Sequence, residues 1–423
     1  MQKRDLTFLC AKLFFFLYLA KHGRPQQLLY ITKPPPLTDE VGTKASSRYL
    51  SSYLLYNCQN QLILNKVYYI WLLVVCLAPC LRAQDIHYSQ FGYSPSTTSP
   101  GLTGVFRGVF RAHANVRSQW NSVPVGYQTF SASADTKLPN REPDRSGFWA
   151  VGGSFHYDEA GRAELRNANL NLAASYTQLL GNISRKKERW LFMTLGAQQG
   201  VARRDFNAER LLFDAQYDPE TGMGNPNLPT GEPSSLLRNS NTFGDLSAGF
   251  NIRIQNYKGC EIVNDFSDRS WIDIGIGVFH LNEPNQAFEE EKEEQLPMRF
   301  SPYLMWNREI GNSSLDVFGN LNFQFQGVYR EFLTHFGGRV YLRDVPGRQV
   351  ALELSCGYRF NDQLGDGVFP AVGLQYSDFF AGISYDLNIS DFQAATRYRG
   401  GFEMVFRYNL NAVCVDKYFC PLL

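Results

Sequence analysis

The chain is 423 residues long and carries 41 Lys and Arg against 40 Asp and Glu, so it has no basic surplus of the kind that nucleic acid or anionic lipid selects. Aromatic residues make up 14 % and charged residues 19 %, which excludes a disordered chain, because there is enough apolar surface to offset the entropy of ordering. A hydrophobic fraction of 44 % is too dilute for a helical membrane protein and fits a β-rich chain whose apolar residues alternate with polar ones.

In chain order, residues 1–64 hold an apolar patch from Phe8 to Ala20, then Lys33-Pro34-Pro35-Pro36, and no convincing element. They read as a mis-annotated upstream extension, with a cytoplasmic arm carrying its own anchor as the alternative. Residues 65–83 have the form of a cleaved signal peptide. Lys66 precedes an apolar run from Val67 to Leu81, and Arg82-Ala83-Gln84-Asp85 supplies a small-residue exit, with cleavage expected after Ala83. The run is shorter than the ~20 apolar residues of a membrane-spanning helix, and Pro79 interrupts it. Lipid attachment at Cys80 is disfavoured by Pro79 in front of it.

From about residue 106 the apolar pattern has period two. Leu315, Val317, Leu321, Phe323 and Phe325 form one face of a segment whose other face is Ser314, Asp316, Asn320, Asn322, Gln324 and Gln326, broken only by Phe318. Fourteen such candidates occur: 106–118, 127–138, 147–157, 165–179, 189–203, 243–254, 270–280, 299–309, 314–325, 333–342, 349–360, 368–375, 378–388 and 401–411. Many approach ten residues, the ~9–11 that a tilted strand needs to cross a bilayer.

The predicted fold class is therefore all-β, a transmembrane outer-membrane β-barrel of about 14 antiparallel strands over 106–411. Residues 84–105 are expected to be a periplasmic N-terminal segment and 412–423 a periplasmic C-terminal tail. Three of the longest connectors, 204–242, 281–298 and 389–400, follow odd-numbered strands and so fall on one side, the extracellular one if the mature N-terminus is periplasmic. Gln255 to Arg269 is a long exception on the other side. A soluble sandwich is the runner-up, but it should expose Lys and Glu, whereas the polar faces here are mainly Asn, Gln, Ser, Asp and Gly, as a lumen free of unpaired charge requires.

Four cysteines remain beyond residue 83, namely Cys260, Cys356, Cys414 and Cys420, with no CxxC pair. Cys414 and Cys420 are either a periplasmic disulfide or two free thiols. His87, His113, His156, His280 and His335 are scattered without metal-ligand spacing, so neither a metal nor a cofactor nor a catalytic constellation is expected. An outer-membrane hydrolase is disfavoured on the same ground.

Ser384, Asp386, Asn388 and Ser390 share one face of the thirteenth candidate and its exit, and should point into the lumen. They read either as a docking ladder for a partner segment or plug, or as a hydrogen-bonded network that keeps Asp386 satisfied through Arg399 or Arg407. Glu403 and Arg407 lie on the polar face of the last strand, and Gly400-Gly401 at its entry reads mainly as turn geometry. The acidic run Glu289 to Glu294 lacks a calcium-ligand pattern and reads as a solvated loop.

Several stretches together resemble the PorP/SprF family of outer-membrane proteins of the type IX secretion system of Bacteroidetes. They are Tyr88-Ser89-Gln90-Phe91, Ser99-Pro100-Gly101-Leu102-Thr103-Gly104, Arg117-Ser118-Gln119-Trp120, Ser131-Ala132-Ser133-Ala134-Asp135, Asn282 with Pro284-Asn285-Gln286, and Leu296-Pro297-Met298-Arg299. Near the end come Pro370-Ala371-Val372-Gly373-Leu374, Ser384-Tyr385-Asp386-Leu387-Asn388-Ile389-Ser390 and Arg399-Gly400-Gly401-Phe402-Glu403. The resemblance implies a non-enzymatic outer-membrane component that assists export or surface attachment of secreted proteins such as large adhesins, with a link to gliding motility. Its expected partners are outer-membrane lipid and either periplasmic ring proteins or a secreted adhesin, with no nucleic acid and no small-molecule substrate. A passive outer-membrane porin is the alternative.

Overall fold

The computed structural model describes residues 85–410 except 121–125, 139–146, 185–188, 208–209, 219–222, 226, 232–239, 257–268, 289–292, 312, 346–347, 362–364 and 391–392. The expectations for residues 1–84, for Cys260 and for the tail with Cys414 and Cys420 lie outside the described residues.

Fourteen antiparallel strands close into a barrel, each paired with its sequence neighbours, and the first pairs with the last. They are β1 (Phe110–Gln119), β2 (Tyr127–Lys137), β3 (Gly147–Ala160), β4 (Leu165–Ser184), β5 (Arg189–Asp205), β6 (Ser240–Asn256), β7 (Trp271–Phe279), β8 (Arg299–Glu309), β9 (Leu315–Gln326), β10 (Tyr329–Arg343), β11 (Val350–Asn361), β12 (Gly365–Tyr376), β13 (Phe379–Asn388) and β14 (Arg399–Leu410). Closure pairs every strand edge, which is what a sheet in hydrocarbon needs, since lipid offers the backbone no hydrogen bond.

The period-two pattern sets the faces. Along β13, residues alternate strictly between exposed and buried, with Phe379, Ala381, Ile383, Tyr385 and Leu387 outward and Phe380, Gly382, Ser384, Asp386 and Asn388 inward. Leu170, Leu172, Leu354 and Phe406 are exposed on the outer wall, as a lipid-facing surface requires. Pro302 and Pro370 also sit within strands, β8 and β12.

The connectors after odd strands include 206–239, 280–298 and 389–398, and define one mouth. At the other mouth the turns are mostly short, such as Ser377-Asp378, with 257–270 the exception. Strand ends differ from the sequence reading where a tight turn lets the ladder run on. β10 starts at Tyr329 rather than 333, because the two-residue turn Gly327-Val328, with Gly327 at φ +59°, carries pairing to its edge. At the barrel entry β1 starts at Phe110 rather than 106, after Gly108 at φ +108°.

Residues 85–105 lie inside the barrel. Tyr88, Phe91, Tyr93, Leu102 and Val105 are buried there, because apolar side chains on this segment find wall residues to pack against. Contrary to expectation, the lumen is not a neutral polar surface. Arg111, Arg117, Arg253, Arg299 and Arg359 are buried on its inner wall, each beside a carboxylate.

Candidate functional site

The luminal segment is a plug of about twenty residues with little regular structure: a 3-10 turn at Phe91–Tyr93, the short helix α1 (Pro95–Thr98), and a second 3-10 turn at Pro100–Leu102. It starts at the long-connector mouth, crosses the lumen, and ends at the short-turn mouth where β1 begins.

At the first mouth Asp85 pairs with Arg299 at 3.1 Å and lies 3.2 Å from His280, whose other ring nitrogen is 3.0 Å from Asp245. Burial alone would lower the His280 pKa, but the hydrogen bonds to Asp245 and Asp85 outweigh it and raise it to about 9. Burial would raise the Asp85 pKa, but Arg299 first and then His280 hold it well below the usual carboxylate range. His87, two residues on, is pushed down, mainly by burial.

The next contact involves the inner faces of β1, β11, β13 and β14. The Glu403 carboxylate accepts the backbone N–H groups of Ser89 and Gln90 at 2.8 and 2.9 Å, clamping two successive peptide units. Ser89 Oγ donates to Asp386 at 2.9 Å and accepts from Arg117 and Arg359 at 3.0 and 3.1 Å. Both arginines donate to Asp386 Oδ2, at 2.8 and 3.0 Å. Gln90 Nε2 donates to Ser384. Arg359 also pairs with Asp366 at 2.5 Å, so two guanidiniums face three carboxylates, and the buried groups are hydrogen-bonded to one another and to the plug, the condition under which buried charge is tolerable.

Further along, Tyr93 donates its hydroxyl to Glu353 at 2.6 Å, and Arg339 holds the same carboxylate at 2.6 Å. Phe91, Leu102 and Val105 then pack against Tyr303, Met305, Leu333 and Phe369, an apolar centre unusual in a lumen and explained by the plug it receives. On the opposite wall Gly196 of β5, Gly249 of β6 and Gly277 of β7 are cross-strand partners in one row. The backbone of Ser99, Pro100 and Gly101 rests on that row so closely that any Cβ would collide with it; at Gly277 one would stand 2.9 Å from Ser99 Cα. Ser99 Oγ donates to the Ile276 carbonyl at 3.0 Å. The segment leaves past Gly104, at φ +73°, whose N–H donates to Asp135 at 2.7 Å, while Arg111 binds Asp135 and the Leu102 carbonyl.

Of the residues singled out in the sequence, Ser384, Asp386 and Glu403 meet at the plug. Asn388 and Ser390 bond instead to each other at 2.6 Å, and Asn388 also reaches Thr396, closing the local loop. Asp386 is satisfied by Arg117 and Arg359, not by Arg399 or Arg407: Arg399 is exposed, and Arg407 points toward Tyr93 and Phe380. Tyr385 and Phe402 face outward, side by side in register. Gly400 and Gly401 are buried where a Cβ would meet the Asp386 carbonyl and the Gln119 side chain. Arg359, Glu353, Arg111 and the glycine row were missed. The inward parity of each was readable, but their partners lie on other strands.

Around the plug, cavities of about 390 Å³ at the long-connector mouth and about 220 Å³ at the short-turn mouth lie among smaller ones.

A closed, polar-lined, 14-stranded barrel with an apolar outer wall and its own N-terminal segment bound within it is an outer-membrane β-barrel of the plugged type. Residues 81–408 match the family described as type IX secretion system membrane protein PorP/SprF, and the chain belongs to that family.

Solved structures that the chain matches include the beta domain of the Bordetella autotransporter BrkA, at 12 % identity, covering 72 % of this chain and 99 % of that one with a TM-score of 0.30. CdiB from Acinetobacter baumannii is 8 % identical over 71 % of this chain and 60 % of its own, with a TM-score of 0.36. The CymD monoaromatic hydrocarbon channel is 7 % identical over 78 % and 95 %, with a TM-score of 0.39. No match was found among curated proteins.

Proposed function

We propose that this protein is a non-enzymatic subunit of the type IX secretion apparatus that assists export, or holds an exported protein such as a large adhesin at the surface. It would reach the outer membrane through a signal peptide cleaved after Ala83, with the long connectors outside the cell. The observation that carries this reading, beside the family, is the plug. A lumen occupied by Ser89, Phe91, Tyr93 and Leu102, all buried, suits a docking scaffold better than a conduit. Periplasmic ring proteins or the adhesin are the partners it would meet at its two mouths.

Deletion of the gene tests the reading against the porin alternative. Retention of a specific large secreted protein in the periplasm, or its loss from the surface and with it gliding, is the expected result, with small-solute uptake unchanged. Normal surface display of every secreted protein, together with steady conductance of the purified barrel in a planar bilayer, would replace it with the porin.

A further inference from the structure

The cavity of about 390 Å³ at the long-connector mouth lies between the start of the plug and the inner faces of β1 to β6. Small-molecule pockets typically enclose about 300–1,000 Å³, so this one is large enough to hold a ligand. Register lays its wall out in rows. Thr129, Asp158, Asn167 and Arg204 are successive cross-strand partners on β2, β3, β4 and β5, with the strands about 4.8 Å apart. Gln119 and Tyr127 are partners one row nearer the mouth, and Asn169 stands one row deeper.

The charged groups of the lining fall into two sets. Asp85, Asp245 and His280 are matched by one another and by Arg299. Asp158 and Arg204 make no ion pair among the described residues: Asp158 Oδ1 accepts from Thr129 at 2.6 Å, and Arg204 donates one Nη to Gln286 at 2.6 Å. Both are only partly buried, and their other polar atoms, Asp158 Oδ2 and Arg204 Nε and Nη2, remain accessible. Asn167 and Asn169 bury Oδ1 but leave Nδ2 uncommitted and accessible, and the Gln119 amide is uncommitted too.

At the rim stands an aromatic corner. Trp120 and Tyr127 meet edge to face, with centroids 5.3 Å apart and planes at 87°, and both keep part of their surface exposed. Trp120 holds φ +55° where β1 ends, a left-handed conformation that bulky side chains rarely adopt, and its N–H donates to the Gly400 carbonyl at 2.9 Å. Neither ring belongs to the apolar centre that grips the plug.

An ion would be attracted by one of Asp158 and Arg204 and repelled by the other. A pyranose suits the whole arrangement. Its C–H face is apolar and lies flat on an aromatic ring, while each hydroxyl at its edge both donates and accepts, and so meets carboxylate, amide and guanidinium in turn.

We infer that the long-connector mouth holds a saccharide-binding site, with Trp120 and Tyr127 as the stacking platform and Asp158, Asn167 and Arg204 as the hydroxyl-binding row. This goes beyond the secretion reading and does not rest on it.

The test is calorimetric titration of the purified full barrel with maltotriose, cellotriose and triacetylchitotriose, in dodecyldimethylamine oxide, a detergent without a sugar headgroup. Saturable binding of at least one sugar, insensitive to added salt, is expected. Trp120→Ala and Asp158→Ala should each weaken it about tenfold, and Trp120→Phe less than about threefold, because a ring face is kept. Each variant is first checked for the wild-type mobility shift on boiling. The best sugar is then offered coupled through its reducing end to albumin. Either result of that step upholds the site: retained binding identifies the end of a glycan chain, and binding of the free sugar alone a small soluble saccharide. Failure of all three sugars to bind, unchanged binding to folded Trp120→Ala and Asp158→Ala, or tighter binding of N-acetyl-lysine amide or acetate than of any sugar would overturn the assignment.

Discussion

Arg117 and Asp386 meet at 2.8 Å from strands that are not neighbours: β14 runs between β1 and β13, and the two side chains bridge it from the inside. Both also hold Ser89, so the pair ties the closing seam of the barrel and the plug into one buried network. Arg117→Met leaves Glu403 and Asp386 with the Arg359 guanidinium alone, which Asp366 already shares. A loss of about 3 kcal/mol is expected, on the scale measured when one member of a buried pair is removed. Denaturant unfolding of the detergent-solubilised barrel measures it, and in a double-mutant cycle with Asp386→Asn the two losses should be less than additive.

Gly249 tests the other wall. Its Cβ position stands 3.0 Å from Pro100 N and closer still to Gly101 N and Ser99 Oγ, so Gly249→Val has no room while the plug is seated. The ladder of β6 tolerates valine well, and the barrel should still form. The expected result is a folded, heat-modifiable barrel in which residues 90–105 become open to protease and ion conductance rises above the wild-type level.

The docking of the plug at its first mouth should depend on pH, with a maximum near pH 6.5. His280 has its pKa raised to about 9 from 6.5, so its stabilising contribution is complete below 6.5 and is lost as pH rises through 9. His87 has its pKa lowered by burial, so below 6.5 the undocked state gains protons first and docking weakens as pH falls. Asp85, held below its usual range, contributes throughout and fails only in strong acid. The groups facing His280 are Asp245 from β6 and Asp85 from the plug, with Arg299 of β8 behind Asp85. Hydrogen exchange of the Ile86 to Gln90 amides against pH reads this out. His280→Gln should flatten the alkaline limb and leave the acid limb in place.

Processing after Ala83 would leave Gln84 directly ahead of Asp85, the first residue seen held in the lumen. N-terminal sequencing or intact mass of the membrane-extracted protein should find Gln84 or its cyclised form. A chain still beginning at Met1 would remove both the cleavage and the reading of residues 1–64 as an extension.

Strand number and facing were legible because alternation is a local property: in β9, Asn320, Asn322, Gln324 and Gln326 turn inward as their period implies. Phe318, which breaks that polar face, had no local explanation. In the folded barrel it stands edge-on to His335 and beneath Arg339, partners that come from the neighbouring strand β10. Residues 85–105 have no period to read, and their role depends on Gly196, Gly249 and Gly277, which are scattered along the chain and become one row only when three strands pair. The Arg117, Arg359, Asp386 and Glu403 group is hidden for the same reason, since 286 positions separate Arg117 from Glu403.

The cluster at the β1 and β14 seam also bears on how the barrel is made. Pairing of the first strand with the last is the most distant contact in the ladder and carries the largest chain entropy of closure. The plug begins at one mouth and joins β1 at the other, so a ring that had already closed would have to be threaded. Closing the ring around a segment already gathered into an open, curved sheet would avoid that threading, and Ser89, gripped by residues from β1, β13 and β14, sits where the two free edges would meet.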